Sequence, residues 1–348
     1  MKSLAYVWLM TFLFSVSAHS VELNRGNQAG ISEAYGFALG QQMSLDRISR
    51  IYPDLAREAL LARLSFERTF GDIPAKVEPM LKKALGNAEY QKLRAALEKT
   101  LGEQLERELL SREIAKNFLE EVRSRSEGNI HSPVLEFLLA IKFSKFPADE
   151  FAKGFRQKYR TDGSGKSRGV ILEMQVPRSW QAAEGYRPHI VQKWKSEAGT
   201  GMELIMLQVR ETEGVYITRS DVAEIVQPGE IESMVPSGGV LEDYGMVSVE
   251  NLPGYFMDIG LLQERAGMVI YQKIRQYNFF YRDRIIAVHC SAGSLESEHE
   301  SVELRFEKVK PLCTQVFNSV VLPDQYLQPA PAKPSGTSAF TPASLIIQ

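Results

Sequence analysis

The chain has 348 residues, of which 44% are hydrophobic and 24% charged, and this composition excludes a wholly disordered or collagen-like protein. Its 41 basic and 43 acidic residues give a net charge of −2. This balance argues against a nucleic-acid-binding protein, because such proteins usually carry a strong basic excess. The length suggests one large domain or two ordinary ones.

The first 20 residues read as a secretory signal peptide. Lys2 is the positive region, an apolar run extends from Leu4 to Val16, and an A-x-S cleavage site precedes Val21. Cleavage after Ala18 is an alternative. The run has about 13 residues, fewer than the ~20 of a spanning helix. We therefore expect an exported protein, periplasmic or secreted, without an integral membrane segment after cleavage; an uncleaved anchor is the alternative.

Residues 21–160 predict an all-helical domain, because they are rich in Ala, Leu, Glu, Lys and Arg. The clearest helix begins at Asn87, a good N-cap, and runs towards Ser126. Along it, leucines recur every four residues from Leu93 to Leu109, which gives one apolar face. Short connections punctuated by Pro and Gly indicate a helical bundle or array.

Small polar residues at 161–168 predict a flexible linker. After it, residues 169–326 show strand patterns, including two runs around Arg282 and Asp283 that predict a β-hairpin, and end in a helical pattern at 295–320. Because strands follow strands with few helical crossovers, we predict an α+β fold: a helical domain, then an antiparallel-sheet α/β sandwich closed by a C-terminal helix. The Pro-, Ser- and Ala-rich residues 327–348 predict a disordered tail.

The near-zero total charge combines two unequal parts. Residues 21–160 carry a net charge of +3, and residues 161–348 carry −6. We therefore expect a mildly basic helical part and an acidic sandwich part that attract each other weakly, since salt screens exposed charges.

The two cysteines, Cys290 and Cys313, are the only ones in the chain. In an oxidising compartment an isolated pair most simply forms one disulfide, which would join the last strand to the last helix. Two buried free thiols are the alternative. A redox-active pair is disfavoured because the sequence lacks C-x-x-C.

Aromatic residues crowd the predicted hairpin, where Tyr277, Phe279 and Tyr281 share one face of a strand and Phe280 takes the other. One face must pack against the last helix. If the other face is exposed, the aromatic residues form a binding surface. The alternative is that both faces are covered.

No catalytic or ligand-binding motif emerges from the residues. The histidines have no metal-ligand spacing, and the sequence has no S-x-x-K. His289, beside Cys290, should point to the opposite face of its strand. We predict no catalytic residue, metal site or cofactor.

Residues 169–323 resemble the PsbP-like (Mog/PsbP) α-β-α sandwich family. The resemblance rests on a P-x-x-W turn at 177–180, on an aromatic strand at 276–281 followed by a hydrophobic strand at 285–290, and on the closing helix with Ser319 after it. It implies a non-enzymatic binding or assembly factor. We therefore predict an exported, non-catalytic protein that recognises a protein or another envelope component; the alternative is an exported hydrolase with its site between the two domains.

Overall fold

The computed structural model describes residues 23–24, 26–108 and 111–326. The predicted signal peptide at 1–20 and the predicted disordered tail at 327–348 lie outside the described residues. Within the described part, no helix combines the length and the apolar character needed to cross a bilayer.

Within the described residues, the first part of the chain is helical, as its composition predicted, and contains seven α-helices. They are α1 (Gln28–Ile51), α2 (Ala56–Phe70), α3 (Ile73–Leu85), α4 (Asn87–Glu108), α5 (Arg112–Ser126), α6 (Val134–Phe143) and α7 (Pro147–Ala152). The first six share one apolar core, which includes Tyr35, Phe70 and Tyr90. Helix α7 instead contributes Phe151 to the core beneath the sheet.

The long helix expected from Asn87 towards Ser126 is two helices. Helix α4 ends at Glu108, and α5 begins at Arg112. The physical reason is a new N-cap: the Ser111 side chain accepts a hydrogen bond from the backbone N–H of Ile114 at 3.2 Å. Leu109, the last residue of the predicted leucine series, lies outside the described residues.

The second part of the chain, as far as residue 326, contains nine strands and three α-helices. In chain order they are β1 (Arg156–Arg160), β2 (Glu173–Pro177), β3 (Gln181–Ala183), β4 (Ile190–Lys195), β5 (Glu203–Glu211), α8 (Arg219–Ile225), α9 (Glu230–Ser233), β6 (Gly239–Val249), β7 (Leu252–Arg265), β8 (Met268–Tyr281), β9 (Arg284–Leu295) and α10 (His299–Asn318). Strands β3 to β9 form one antiparallel sheet in the order β3-β4-β5-β9-β8-β7-β6. The predicted α+β class is confirmed.

The sheet lies between two layers. On one face, α10 and β2 pack over a core that includes Val288, Val309 and Phe317. On the other face, α8 and α9 cover β7 and β8 through Val222, Ile231 and Tyr255. The predicted hairpin of β8 and β9 is present, with Arg282 in the left-handed region at φ 56°.

Residues 156–168 differ from the sequence-based expectation. Residues 156–160, expected to be helical, form β1, which pairs antiparallel with β2. The predicted linker at 161–168 joins these two strands, and within it Thr161 and Ser167 are buried. The Thr161 hydroxyl donates to the Val170 carbonyl at 2.7 Å and accepts from the Leu172 N–H at 2.8 Å. The division into domains at this linker stays a prediction.

Candidate functional site

The aromatic residues proposed as a binding surface are buried. Tyr277, Phe279 and Tyr281 are 4%, 0% and 7% exposed, and Phe280 on the opposite face of β8 is 3% exposed. Tyr277 stacks on Phe317 of α10, with ring centroids 4.3 Å apart. Both faces of the strand are therefore covered, which corrects the hypothesis of an exposed aromatic surface: α10 takes one face and the layer of α8 and α9 takes the other.

The cysteines and His289 lie on opposite faces of β9. Cys290 is bonded to Cys313 of α10, so the disulfide links the sheet to its covering helix. His289 points away from α10, is 6% exposed and has no hydrogen-bond partner for either ring nitrogen among the described residues. Burial lowers the pKa of His289 to about 4, so the imidazole is neutral at pH 7.

A pocket of about 450 Å³ opens between the helical part and the sheet part of the chain. Its walls come from α6, α7, the turn after β2, the loop before β5, and the first half of α10. Most of its lining residues have polar or charged side chains: Asn24, Ser144, Glu150, Ser179, Ser196, Glu197, Thr200, Glu203, Ser294, Glu298, Ser301, Arg305 and Lys308. Such a set favours hydrogen bonding to a polar ligand over purely apolar contact.

Glu150 of α7 holds the turn that follows β2. Its carboxylate accepts hydrogen bonds from the Ser179 backbone N–H at 2.7 Å and from the Ser179 hydroxyl at 2.6 Å. Burial raises the pKa of Glu150 to about 7, although the hydrogen bonds from Ser179 act in the opposite direction. A carboxyl group with such a pKa, at the wall of a pocket, changes its charge near neutral pH.

A second polar group in the pocket lining joins β5 to α10. Glu203 accepts a hydrogen bond from the Ser196 hydroxyl and pairs with Arg305, whose Nη1 lies 3.1 Å from Glu203 Oε1. Arg305 also donates to the carbonyl of Gly293 at 3.2 Å. The guanidinium is therefore fixed in place and its charge is balanced within the pocket wall.

The pocket lining provides hydrogen-bond donors and acceptors and contains no histidine. Neither His189 nor His289 lines it. Nor do the described residues contain a group of three or more His, Cys, Asp or Glu side chains able to hold a metal ion. What the arrangement can do is hold a polar molecule between two preformed walls.

Sequence reasoning missed the residues of this pocket. One usable signal was the P-x-x-W turn, since Ser179 and Trp180 at its end both line the pocket. Another was the polar stripe of the last helix, where Ser301, Arg305 and Lys308 are spaced by four and three residues and so share one face. The contribution of Glu150 had no local signal, because its environment is created by residues far away in the sequence.

No protein-family model and no curated protein matches the sequence. Among solved structures, the Ran-binding protein Mog1p of Saccharomyces cerevisiae is similar over 49% of this chain and 97% of its own, at 10% identity and a TM-score of 0.34. Cyanobacterial PsbP from Synechocystis is similar over 48% of this chain and 92% of its own, at 14% identity and a TM-score of 0.28.

LpqN of Mycobacterium tuberculosis, described as involved in cell envelope biogenesis, is similar over 50% of this chain and 95% of its own, at 11% identity and a TM-score of 0.29. The likeness is thus to PsbP/Mog1-like domains over about half of the chain, and the N-terminal helical half is not matched. At these TM-scores the likeness carries no inference about activity.

Proposed function

We propose that this chain is an exported, non-catalytic binding protein of the cell envelope, and that the pocket between its two parts holds a portion of the protein or other envelope component that it recognises. The observation that carries the proposal is the pocket itself. It has about 450 Å³ of space, walls from both parts of the chain, and polar side chains already fixed by hydrogen bonds. Preformed walls lower the cost of ordering on binding.

The proposal of export rests on the sequence of the first 20 residues, in which an apolar run follows Lys2 and precedes a small-residue cleavage site. Export to an oxidising compartment is compatible with the disulfide that contains both cysteines of the chain.

A hydrolase with its site in this pocket is the second candidate. It is favoured by the short hydrogen bond from the Ser179 hydroxyl to Glu150, whose pKa of about 7 suits a general base. Two observations oppose it. Ser179 and Glu150 are only 2% and 1% exposed, so the hydroxyl cannot reach a substrate without movement. The same carboxylate also accepts the Ser179 N–H, which is how a structural side chain holds a turn.

Site-specific photocrosslinking tests the binding proposal. A photoreactive amino acid replaces Met202, which lines the pocket and is 57% exposed. The matched control position is Tyr216, which is 53% exposed and lies in the segment before α8. In intact cells we expect one envelope component to be crosslinked from position 202 and not from position 216. Failure to capture any component, or equal capture from both positions, contradicts the proposal.

The two candidate functions predict different behaviour of Ser179→Ala. If the pocket only binds, the purified protein leaves the crosslinked component chemically unchanged, and the variant behaves the same. If the pocket is hydrolytic, the wild-type protein cleaves that component and the variant does not. Mass spectrometry of the captured component distinguishes the two.

A further inference from the structure

A group of polar side chains lies on the face of the sheet that α8 and α9 cover. They are Gln276 and Asn278 of β8 and His289 and Ser291 of β9, and each is at most 6% exposed. In the register of the two strands, Gln276 lies opposite His289, and Ser291 lies opposite Ile274. Because residues two apart in a strand share a face, all four side chains point to the same side of the sheet. We call these four residues the polar patch.

Hydrogen bonds within the described chain leave much of the polar patch unpaired. Among the described residues, Gln276 Oε1, Asn278 Nδ2, Ser291 Oγ and both ring nitrogens of His289 have no hydrogen-bond partner. Gln276 Nε2 donates to Asn278 Oδ1 at 2.7 Å. Turning over both amides would exchange these roles and still leave one donor and one acceptor unpaired. Unpaired polar atoms at this depth are rare and costly in folded proteins, so five of them on neighbouring residues point to partners from outside the chain.

The opposite face of the same strands shows how this chain otherwise treats buried polar groups. There the carboxylate of Asp258 is 2% exposed, and it accepts from Arg275 at 2.7 Å and pairs with Lys310 of α10 at 2.9 Å. The hydroxyl of Tyr277 shares a hydrogen bond with that of Thr314 at 2.9 Å. These polar groups under α10 have partners within the chain, whereas the five atoms of the polar patch do not.

Adaptable apolar side chains surround the polar patch. Met257 of β7 lies opposite Gln276, and Met206 of β5 lies opposite His289. Met234, directly after α9, packs in the same apolar cluster as Met257. Methionine is unbranched and flexible, so a surface with several methionines can re-form around a bound molecule.

The cover over the polar patch is the segment from residue 212 to residue 238, which contains α8 and α9, of seven and four residues. It packs on the sheet through apolar side chains such as Val222 and Ile231. Gly214 and Gly238, near its two ends, have φ values of 84° and 81°, which glycine adopts without strain. Since the polar patch is buried, a ligand reaches it when this cover moves. Apolar contacts are not directional, so the cover can exchange contacts with the sheet for contacts with a ligand.

We propose that the polar patch is a second binding site, separate from the pocket, for a molecule with an uncharged polar head and an apolar body. The patch offers both donors and acceptors but no carboxylate, ammonium or guanidinium group, so a charged head would be buried there without a counter-charge. A diol both donates and accepts and so matches it. Arg210 of β5 faces the same side of the sheet but lies opposite Ile285, four residues along β9 from His289, or roughly 13 Å.

Calorimetric titration of the full chain tests the proposal with three probes that share an eight-carbon chain, each below its critical micelle concentration. They are 1-monooctanoylglycerol, octanoic acid in its ionised form and octyltrimethylammonium. We expect 1-monooctanoylglycerol to bind and the two charged probes to bind more weakly by about tenfold or more, because their heads lose hydration without a counter-charge. Glycerol, which has the head without the apolar body, should not bind.

Ser291→Ala separates a role in binding from a structural one. The substitution removes an unpaired buried hydroxyl, so it should raise the melting temperature of the ligand-free protein by about 1–3 °C and weaken binding of 1-monooctanoylglycerol about fivefold. The double variant Gln276→Met/Asn278→Leu removes both amides together, so neither is left without its partner. It should fold, and it should weaken binding by about tenfold or more.

The matched control is Ser319→Ala, because the Ser319 hydroxyl accepts from the Gln175 N–H at 2.9 Å and donates to the Val316 carbonyl at 2.7 Å. This variant should have a lower melting temperature and the affinity of the wild-type protein.

Four results would overturn the site: no binding of 1-monooctanoylglycerol, a lower melting temperature or unchanged affinity in Ser291→Ala, equal loss of affinity in Ser319→Ala, or a crystal structure with the probe that shows only water at the polar patch. Equal or tighter binding of octanoic acid would assign the head to Arg210 and refute an uncharged ligand. A component crosslinked from position 202 tests the pocket alone, so the proposed function stands or fails separately.

Discussion

Glu150 receives two hydrogen bonds from a single residue, Ser179, one from its backbone N–H at 2.7 Å and one from its hydroxyl at 2.6 Å. Glu150 belongs to α7, the last helix before the strands begin, and Ser179 lies in the turn that follows β2. A nearby ion pair, Arg178 with Glu136 of α6 at 3.2 Å, joins the same two regions. These contacts fix one wall of the pocket, so the charge of Glu150 bears on the geometry of the site.

Replacing Glu150 with glutamine should change how stability depends on pH. Because the pKa of Glu150 in the folded protein is raised from 4.5 to about 7, the folded state holds its proton longer than the unfolded state. The free energy of unfolding should therefore fall as pH rises from 4.5 to 7, by at most on the order of 3 kcal/mol. Glu150→Gln keeps an acceptor for the Ser179 N–H and should remove this decline. The free energy of unfolding is measured by urea unfolding at several pH values in this range, for the wild-type protein and the variant.

The matched control is Glu127→Gln, which changes an exposed glutamate of the helical part. This variant should keep the wild-type dependence on pH. An unaltered slope in Glu150→Gln would show that the buried carboxyl does not titrate as proposed.

His289 should produce the opposite dependence on pH. Its pKa in the folded protein is lowered from 6.5 to about 4 by burial, so the unfolded state binds the proton more readily. Stability should therefore fall as pH decreases from 6.5 to 4. His289→Gln removes the titrating group, and its free energy of unfolding should decrease less over this range. The control is His299→Gln, which replaces a histidine whose side chain is 52% exposed. Equal slopes for both variants would contradict the prediction.

A helix or strand can be predicted from local sequence when burial sets its pattern of apolar residues. Strand β8 was predicted with the bounds that it has, Met268–Tyr281, because apolar residues occupy both of its faces. Strand β1 was missed, because its sequence RQKYR is mostly charged and lies in a two-stranded pair with alternate residues exposed. Charged residues of that kind are equally typical of a helix surface.

The candidate site could not be read from the sequence for a related reason. The pocket is lined by residues from Asn24 to Val309, so its members are far apart in the sequence and form no local motif. Glu150 likewise reads as an ordinary acidic residue in the first turn of a helix. Its raised pKa comes from burial against a turn that follows β2, which only the tertiary packing supplies.

Removal of the disulfide should destabilise the sheet part. The bond joins residues 23 positions apart, and closing a loop of this size contributes about 3 kcal/mol in the chain-entropy description. We expect Cys290→Ala/Cys313→Ala to lower the free energy of unfolding by about this amount, as measured in urea. Reductant should lower the stability of the wild-type protein equally and leave the double variant unchanged. Two alkylatable thiols in protein purified without reductant would exclude the bond.

Export should leave a defined N-terminus. If residues 1–20 are a cleaved signal peptide, the protein recovered from the producing cell should begin at Val21, or at His19 if cleavage follows Ala18. Intact-mass measurement distinguishes these products from the uncleaved chain. As a control, Lys2 together with Leu9 and Leu13 changed to Asp should keep the chain inside the cell at full length, because the apolar run is interrupted. A full-length mass for the wild-type protein would instead indicate an uncleaved anchor.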